Sequence, residues 1–244
     1  MSLLKYISIL IGNIIKNYKM LCIIPARGGS KGVKDKNIRN IAGKPLLAWS
    51  IEQALECELI DRVIVSTESQ KIAAIAEKYG AKVPFLRPEA LARDDSPTEP
   101  SLIYSVEELG KQGYYPKAVI LLQPTSPIRN PGRLKKAIEL FNHENADSLV
   151  SVCEEHPYFW KDLKNPTALY NYNQRLRRQD IKPKDRWYQE NGSIYITKTK
   201  MLIEKKNRLC GKIVMFQMEK HESLDLDTVD DFTVAEAIIR KQFF

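Results

Sequence analysis

From Met20 onward, apolar runs of strand length alternate with segments of helical spacing. LCIIPA (21–26) is a short, continuous apolar run, the pattern of a strand covered on both faces. Residues 44–57 follow, with Leu47, Ile51, Ala54 and Leu55 on one helical face. RVIVS (62–66) predicts a second buried strand, and Ser69 to Tyr79 a helix closed by Gly80. VPFL (83–86) predicts a third, short strand. Thr98 to Gly110 reads as a helix, AVILLQ (118–123) as a fourth strand, Pro131 to Asn142 as a helix and SLVSV (148–152) as a strand. SIYIT (193–197), KIVMF (212–216) and a closing helix from Thr228 to Lys241 complete the pattern. The alternation predicts a doubly wound α/β fold with a mainly parallel sheet. Ligands of such sheets bind beyond the carboxyl ends of the strands, so the chemistry is expected after Ala26, Ser66, Leu86 and Leu122. Residues 154–190 break the rhythm: they are polar, aromatic and basic, and read as an inserted arm, flap or oligomer contact.

The chain has 244 residues, enough for one such domain and a pocket. No apolar run approaches the roughly 18 residues of a membrane span, which speaks against stable membrane insertion. Lysine plus arginine (38) exceed aspartate plus glutamate (30), and this excess suits an anionic partner. The excess sits partly in residues 174–186, whose six bases face two acids. No long basic face appears, so nucleic acid is not the expected partner. Cys22, Cys57, Cys153 and Cys210 lack zinc spacing, and Cys22 and Cys153 read as core; a reduced, cytoplasmic setting follows. His143, His156 and His221 are scattered.

Residues 1–19 form a separate extension with Lys5, Lys16 and Lys19. Its apolar stretch is too short to cross a bilayer, and no small-x-small cleavage site follows. A start mis-assigned upstream of Met20 is favoured over an amphipathic extension or a packing helix. Residues 20–244 are expected to carry the function.

ARGGSKGVKDKN (26–37) follows the first strand directly. Gly28, Gly29 and Gly32 let the backbone approach a ligand, while Arg27, Lys31, Lys34 and Lys36 supply positive charge. A glycine-rich, basic turn at a strand's carboxyl end suits a polyphosphate. It matches neither the Walker loop nor GxGxxG. Asp225-Leu226-Asp227, placed on a strand, would project two carboxylates together and turn Leu226 to the core. Such a pair suits Mg²⁺, yet the same spacing suits a helix start, with Asp227 or Thr228 as N-cap and Asp230 and Asp231 in the first turn. LQPTSPIR (122–129) ends a buried strand in a proline-stiffened loop whose amide, hydroxyls and guanidinium suit ligand binding. Arg87 in LRP reads, on its own, as a surface arginine. No GxSxG nucleophile pattern occurs.

IIPARGGSKGVKDKNIRNIAGKPLLAWSI, RVIVSTES, LRP, LLQPTSPIR, RRQD, YQENGSIYI and SLDLDT stand in the order found in the acylneuraminate cytidylyltransferases, the CMP-sialic acid synthetases, which the chain resembles over about residues 20–241. The resemblance implies a Rossmann-like fold of the nucleotide-diphospho-sugar transferase type. It implies transfer of CMP from CTP to an acidic nine-carbon sugar such as N-acetylneuraminate, with release of pyrophosphate. By similarity, Ala26, Arg27, Gly28, Gly29, Ser30, Lys31, Asn37, Arg87, Ser96 and Thr98 contact the nucleotide, and Arg27, Lys31 and Lys36 hold the triphosphate. Asp225 and Asp227 resemble ligands of Mg²⁺ (or Mn²⁺), which moves the open choice above toward metal and makes Asp225 a catalytic candidate. Gln123, Arg178, Asn191 and Gly192 fall at sugar-binding positions, with Arg178 expected to bind the sugar carboxylate. His156 is a weaker candidate for the sugar site. Gln189 stands where some relatives carry a second arginine, so the sugar's identity stays open; legionaminate, pseudaminate and 3-deoxy-manno-octulosonate are alternatives. The family's bacterial members resemble homodimers whose arm enters the neighbouring site, a role open to residues 154–190. A non-catalytic nucleotide- or RNA-binding module is the reading from a different class; it gains nothing from the paired carboxylates.

Overall fold

The computed structural model describes residues 19–29 and 32–243. The elements are β1 (Met20–Pro25), β2 (Asn40–Ile41), β3 (Lys44–Pro45), α1 (Leu46–Leu55), β4 (Arg62–Ser66), α2 (Gln70–Lys78), α3 (Thr98–Lys111) and β5 (Ala118–Leu122). Next come α4 (Arg133–His143), β6 (Ser148–Glu155), β7 (Trp160–Lys161), β8 (Thr167–Ala168), β9 (Trp187–Lys198), α5 (Thr199–Lys205), β10 (Ile213–Met218) and α6 (Val229–Phe243).

Six strands form one sheet in the order β10-β6-β9-β5-β1-β4. All neighbours are parallel except those of β9, which runs antiparallel between β5 and β6. The apolar runs are continuous because both faces of the sheet are covered. Along β1, Met20, Cys22 and Ile24 join one core with residues of α1, α2 and α4. Leu21 and Ile23 point the other way, into a second core with α3 and Leu202 of α5. The same alternation divides β5: Ala118, Ile120 and Leu122 against Val119 and Leu121. This is the doubly wound arrangement that the sequence predicts.

A third apolar cluster lies off the sheet. It packs Phe232, Ala235 and Ile239 of α6 against Val33, Trp49, Ile128 and Leu226. It binds the glycine-rich loop, the loop after β5 and the 225–227 segment into one unit. Burying a side chain such as Leu226 fully contributes about 1.5–3 kcal/mol.

Two expectations about elements are corrected. Residues 83–86 are not a strand; only Lys82 forms a parallel bridge, to Ile64. Pro84 has no N–H to donate, and the chain turns away until the Arg87 amide donates to the Thr67 carbonyl at 2.9 Å. Asp225 to Asp227 are not part of any strand. The predicted alternation holds nonetheless: Leu226 is fully buried between two exposed aspartates, and its amide donates to the Thr125 carbonyl at 2.9 Å.

Residues 154–190 extend β6 and β9 beyond the sheet as a long antiparallel pair, with the β7–β8 hairpin between them. The stretch between those strands is mostly exposed. Residues 1–18, Ser30, Lys31 and residue 244 lie outside the described residues, so the expectations about the N-terminal extension and those two loop residues find no test here. Among the described residues no helix is long and apolar enough to cross a membrane, and Cys22, Cys57, Cys153 and Cys210 are all unpaired.

Candidate active site

Two cavities open at the carboxyl end of the parallel strands. The larger, about 520 Å³, is lined by Arg27, Gly32, Lys36 and Asn37 after β1, by Arg87, Asp94, Ser96, Thr98 and others of that stretch, by Gln123 to Thr125 after β5, and by Asp227. The second, about 320 Å³, is lined by Cys153, Glu155, Gln189, Glu190, Asn191, Gly192, Tyr195, Lys220, Ser223 and Asp225. The extended segment 225–227 serves both: Asp227 lines the first cavity and Asp225 the second.

The glycine-rich loop is fixed at several points. Ala26 is buried, and its amide donates to the Ser66 carbonyl at 3.0 Å. Asn37 is buried and donates from Nδ2 to the Arg27 carbonyl at 3.0 Å, so it shapes the loop. Arg27 pairs with Asp94 across the mouth of the larger cavity. Gly32 packs so closely that a Cβ there would lie 2.7 Å from the Asp227 carbonyl oxygen. Lys36 donates to the Leu226 carbonyl at 2.9 Å and to Asp227 Oδ1 at 3.0 Å, tying the loop to the aspartate segment.

Arg87 contradicts the surface reading: it is 6% exposed and lines the larger cavity. Desolvation lowers its pKa, opposed by the charge and hydrogen bond of Glu68. Its Nε atom has no partner. Glu68, which the sequence reading missed, accepts from Arg87 at 3.1 Å and from the Gly28 amide at 2.6 Å. Its two oxygens therefore link the phosphate-type loop to the buried guanidinium; its place in STES right after β4 is the signal that was available. Ser96 and Thr98 line the same cavity, with Ser96 Oγ donating to the Ala90 carbonyl at 2.9 Å. Gly29 has open space around its Cα and lines neither cavity.

The QPTSPIR loop divides its labour. Gln123 and Thr125 line the larger cavity, whereas Ser126 and Arg129 face the protein interior. Arg129 donates to Ser50 Oγ, Gln53 Oε1 and the carbonyls of Gln123 and Ser193 at 2.9–3.2 Å. Burial pushes its pKa down to about 10. The loop's composition suggested that this guanidinium meets a ligand; instead it is buried and supports both cavities from behind. Gly192 has φ +70°, and a Cβ there would lie 2.6 Å from Gln123 Oε1. Glycine lets the two cavity walls touch. Asn191 lines the second cavity, but Oδ1 accepts from Ser151 Oγ and the Ser193 amide, and Nδ2 donates to Ser223 Oγ. Its amide is engaged in holding β6, β9 and the 220–223 turn together.

Asp225 and Asp227 lie two residues apart on a segment pinned at Leu226. The carboxyl of Asp225 is enclosed enough for desolvation to raise its pKa, although the residue's outer surface is exposed. A hydrogen bond from Thr125 opposes this, the Asp227 charge adds to it, and Lys36 opposes it again. A carboxylate whose ionisation is made costlier by burial and by a neighbouring carboxylate gains from a divalent cation that both can share. Their all-oxygen donor set suits Mg²⁺, which binds through one or two carboxylates plus phosphate oxygens. Among the described residues no group of three or more His, Cys, Asp or Glu is placed to hold a metal ion, so a cation here would take its other ligands from a substrate or water.

Arg178 does not reach either cavity of its own chain; it lies exposed in a short 3-10 turn of the arm. His156 likewise lines neither cavity and stacks on Tyr158. Arg175 lies over the Tyr158 ring at 4.2 Å, and Arg177 pairs with Asp180 at 2.7 Å. Lys220, Glu190 and Tyr195 in the second cavity were not expected. Glu190 accepts from Tyr195 Oη at 3.0 Å, and burial pushes that phenol up to about 12.

A family model described as cytidylyltransferase matches residues 21–243. A CMP-N,N'-diacetyllegionaminic acid synthase of Legionella pneumophila is 34% identical over 224 residues, covering 91% of this chain and 96% of that protein. A pseudaminic acid cytidylyltransferase of Campylobacter jejuni is 32% identical, covering 91% and 97%. N-acylneuraminate cytidylyltransferase A of Danio rerio is 35% identical over 94% of this chain, which spans 53% of that protein. Among solved structures, a CMP:2-keto-3-deoxy-manno-octonic acid synthetase complexed with CTP superimposes with a TM-score of 0.69 at 16% identity, covering 92% of this chain and all of the other. A 4-diphosphocytidyl-2C-methyl-D-erythritol synthase of Anaerococcus prevotii gives 0.66 at 14% identity, covering 93% and 99%. These two show the fold.

Proposed function

The chain belongs to the cytidylyltransferase family, and we propose that it transfers CMP from CTP to an acidic nine-carbon sugar such as N-acetylneuraminate. The observation that carries this reading is the pair of cavities served by one aspartate segment. The larger takes CTP and the second takes the sugar. The sugar's anomeric hydroxyl then meets the α-phosphorus near Asp225 and Asp227. In the reaction an O–P bond forms to the α-phosphorus, the bond to the β-phosphate oxygen breaks, and pyrophosphate leaves. The hydroxyl proton is lost to solvent or to the substrate's phosphate oxygens, since no side chain stands out as its acceptor.

Positioning and charge neutralisation supply most of the acceleration in such transfers. Arg27, Lys31 and Lys36 hold the triphosphate and stabilise the leaving group. Arg87, buried and with a free Nε, meets the pyrimidine end of the nucleotide, and Glu68 keeps it there. Asp225 and Asp227 would hold Mg²⁺ or Mn²⁺, which when bound neutralises phosphate charge and acidifies the attacking hydroxyl. Lys36 meanwhile fixes the orientation of Asp227.

N,N'-diacetyllegionaminate and pseudaminate belong in the acceptor panel, because two relatives of about this chain's own length carry those names. The reading also includes a cytoplasmic enzyme and a homodimer, in which the arm brings Arg178 to the sugar cavity of a second subunit. The exposed aromatics of the arm support this last point. The test is pyrophosphate release from CTP with each acid in turn, with and without EDTA. Turnover with at least one acidic sugar, lost on chelation, is the expected result; release with none of them would overturn the reading.

A further inference from the structure

The second cavity poses an electrostatic problem for the substrate assigned to it. Among the described residues its lining carries the carboxylates of Glu155, Glu190 and Asp225, and one cation, Lys220. An acidic sugar brings a further carboxylate into this space. Like charges a few ångströms apart in a partly enclosed site repel more strongly than they do in bulk water. The acid therefore needs a cation at the wall where its carboxylate comes to rest.

Lys220 is built for that place. It begins the 3-10 turn Lys220–Ser223, and that turn is fixed by a reciprocal capping pair between Glu219 and Glu222. Glu222 is fully buried on Arg133. The backbone of Lys220 is therefore held firmly while its side chain is largely exposed. The ammonium pairs with Glu155, at the end of β6, and both residues line the cavity. Glu155 also accepts from the His156 amide at 3.1 Å, which keeps its carboxylate in place. The pair already presents a carboxylate to Lys220 at the cavity wall, the group that an acidic sugar would bring.

Resting on the functional reading above, we propose that Lys220 is a specificity-determining residue: it binds the acceptor's carboxylate and makes the site select acidic over neutral sugars. Among the described residues it is the cation that lines the chain's own sugar cavity, in contrast to Arg178. Glu155 holds the ammonium at the wall until the substrate carboxylate arrives.

The experiment compares each acidic sugar that the wild-type enzyme uses with its C1 methyl ester, which keeps the shape and loses the charge. The readout is the ratio of kcat/KM for acid over ester, with KM for CTP measured alongside. In the wild type the ratio should favour the acid. Lys220→Met should collapse it at least about tenfold, equivalent to about 1.4 kcal/mol, and leave the KM for CTP in place. Lys220→Arg, which keeps the charge, should retain most of the ratio. The side chain is 71% exposed, so neither substitution disturbs the core. A ratio unchanged in Lys220→Met, a loss that falls on CTP, or a wild type indifferent to the ester overturns the inference alone. A wild type that uses no acidic sugar overturns the functional reading and this inference together.

Discussion

Glu222 has no exposed surface, and its carboxylate serves Arg133 as well as the amides of Asn130 and Glu219. Burial alone would raise its pKa, but the Arg133 hydrogen bond and the two amides outweigh it and hold it below the ordinary glutamate value. A lowered folded pKa adds stability above the unfolded value, about 4.3, and this is lost as the pH falls through the folded value. Glu222→Gln should therefore destabilise by about 3 kcal/mol at pH 7, the scale for breaking one side of a buried pair. The gap to wild type should narrow in acid, as urea unfolding at the two pH values would show. A gap independent of pH would mean that the charge plays no part. Glycines make a second contrast at this scale. Gly32→Ala puts a Cβ against the Asp227 carbonyl and should weaken CTP-dependent turnover. Gly29 has nothing within 4 Å, so Gly29→Ala should leave the melting temperature unchanged or raise it slightly, by limiting the unfolded chain.

At the scale of elements, most strands and helices were legible because burial on two faces gives continuous apolar runs and burial on one face of a helix gives a stripe. RVIVS became β4 with the predicted bounds. The direction of β9 was hidden: an antiparallel strand in mid-sheet has both faces covered, so SIYIT reads like its parallel neighbours. VPFL shows the reverse error, an apolar run that packs without pairing because Pro84 interrupts the ladder. In the site, Arg27, Lys36 and the paired aspartates were legible as local clusters of one chemistry. Glu68, Lys220 and the inward turn of Arg129 were not, since each acquires its meaning from a residue tens of positions away. The start of α6 shows how the structure settles an open spacing. Thr228 Oγ1 accepts from the Asp231 amide at 3.3 Å, and Asp231 Oδ2 accepts from the Thr228 amide at 2.7 Å and the Asp227 amide at 2.9 Å. That is a reciprocal cap, and it leaves the Asp227 carboxylate to Lys36 and the cavity. Asp231→Ala should cost about 1 kcal/mol of stability and Asp230→Asn only a few tenths. Asp227→Asn should abolish turnover while the melting temperature holds. Similar, mild losses at all three positions would make the aspartates helix caps and nothing more.

At the scale of the whole molecule, the arm is the feature that one chain leaves unexplained. Phe159, Trp160, Leu163, Tyr172 and Trp187 are exposed on it. Trp160 stacks on Tyr172, and Phe159 on Trp187, so the aromatic surface is ordered before any partner covers it. Arg178 sits on the same arm and serves neither cavity of its own chain. In the proposed dimer it acts on the other subunit's sugar, while Asp227 acts on its own subunit's nucleotide. Asp227 and Arg178 of one chain then serve different sites. Asp227→Asn and Arg178→Ala should each be poorly active alone, but mixing them with exchange of subunits places both defects in one site and leaves the other intact. Random pairing should restore up to roughly a quarter of wild-type turnover. Sedimentation of the mixture checks that dimers are present. Recovery of nothing beyond the average of the two variants, in a sample that is dimeric, would place Arg178 outside the neighbouring site and leave Lys220 as the cation on which acceptor binding depends.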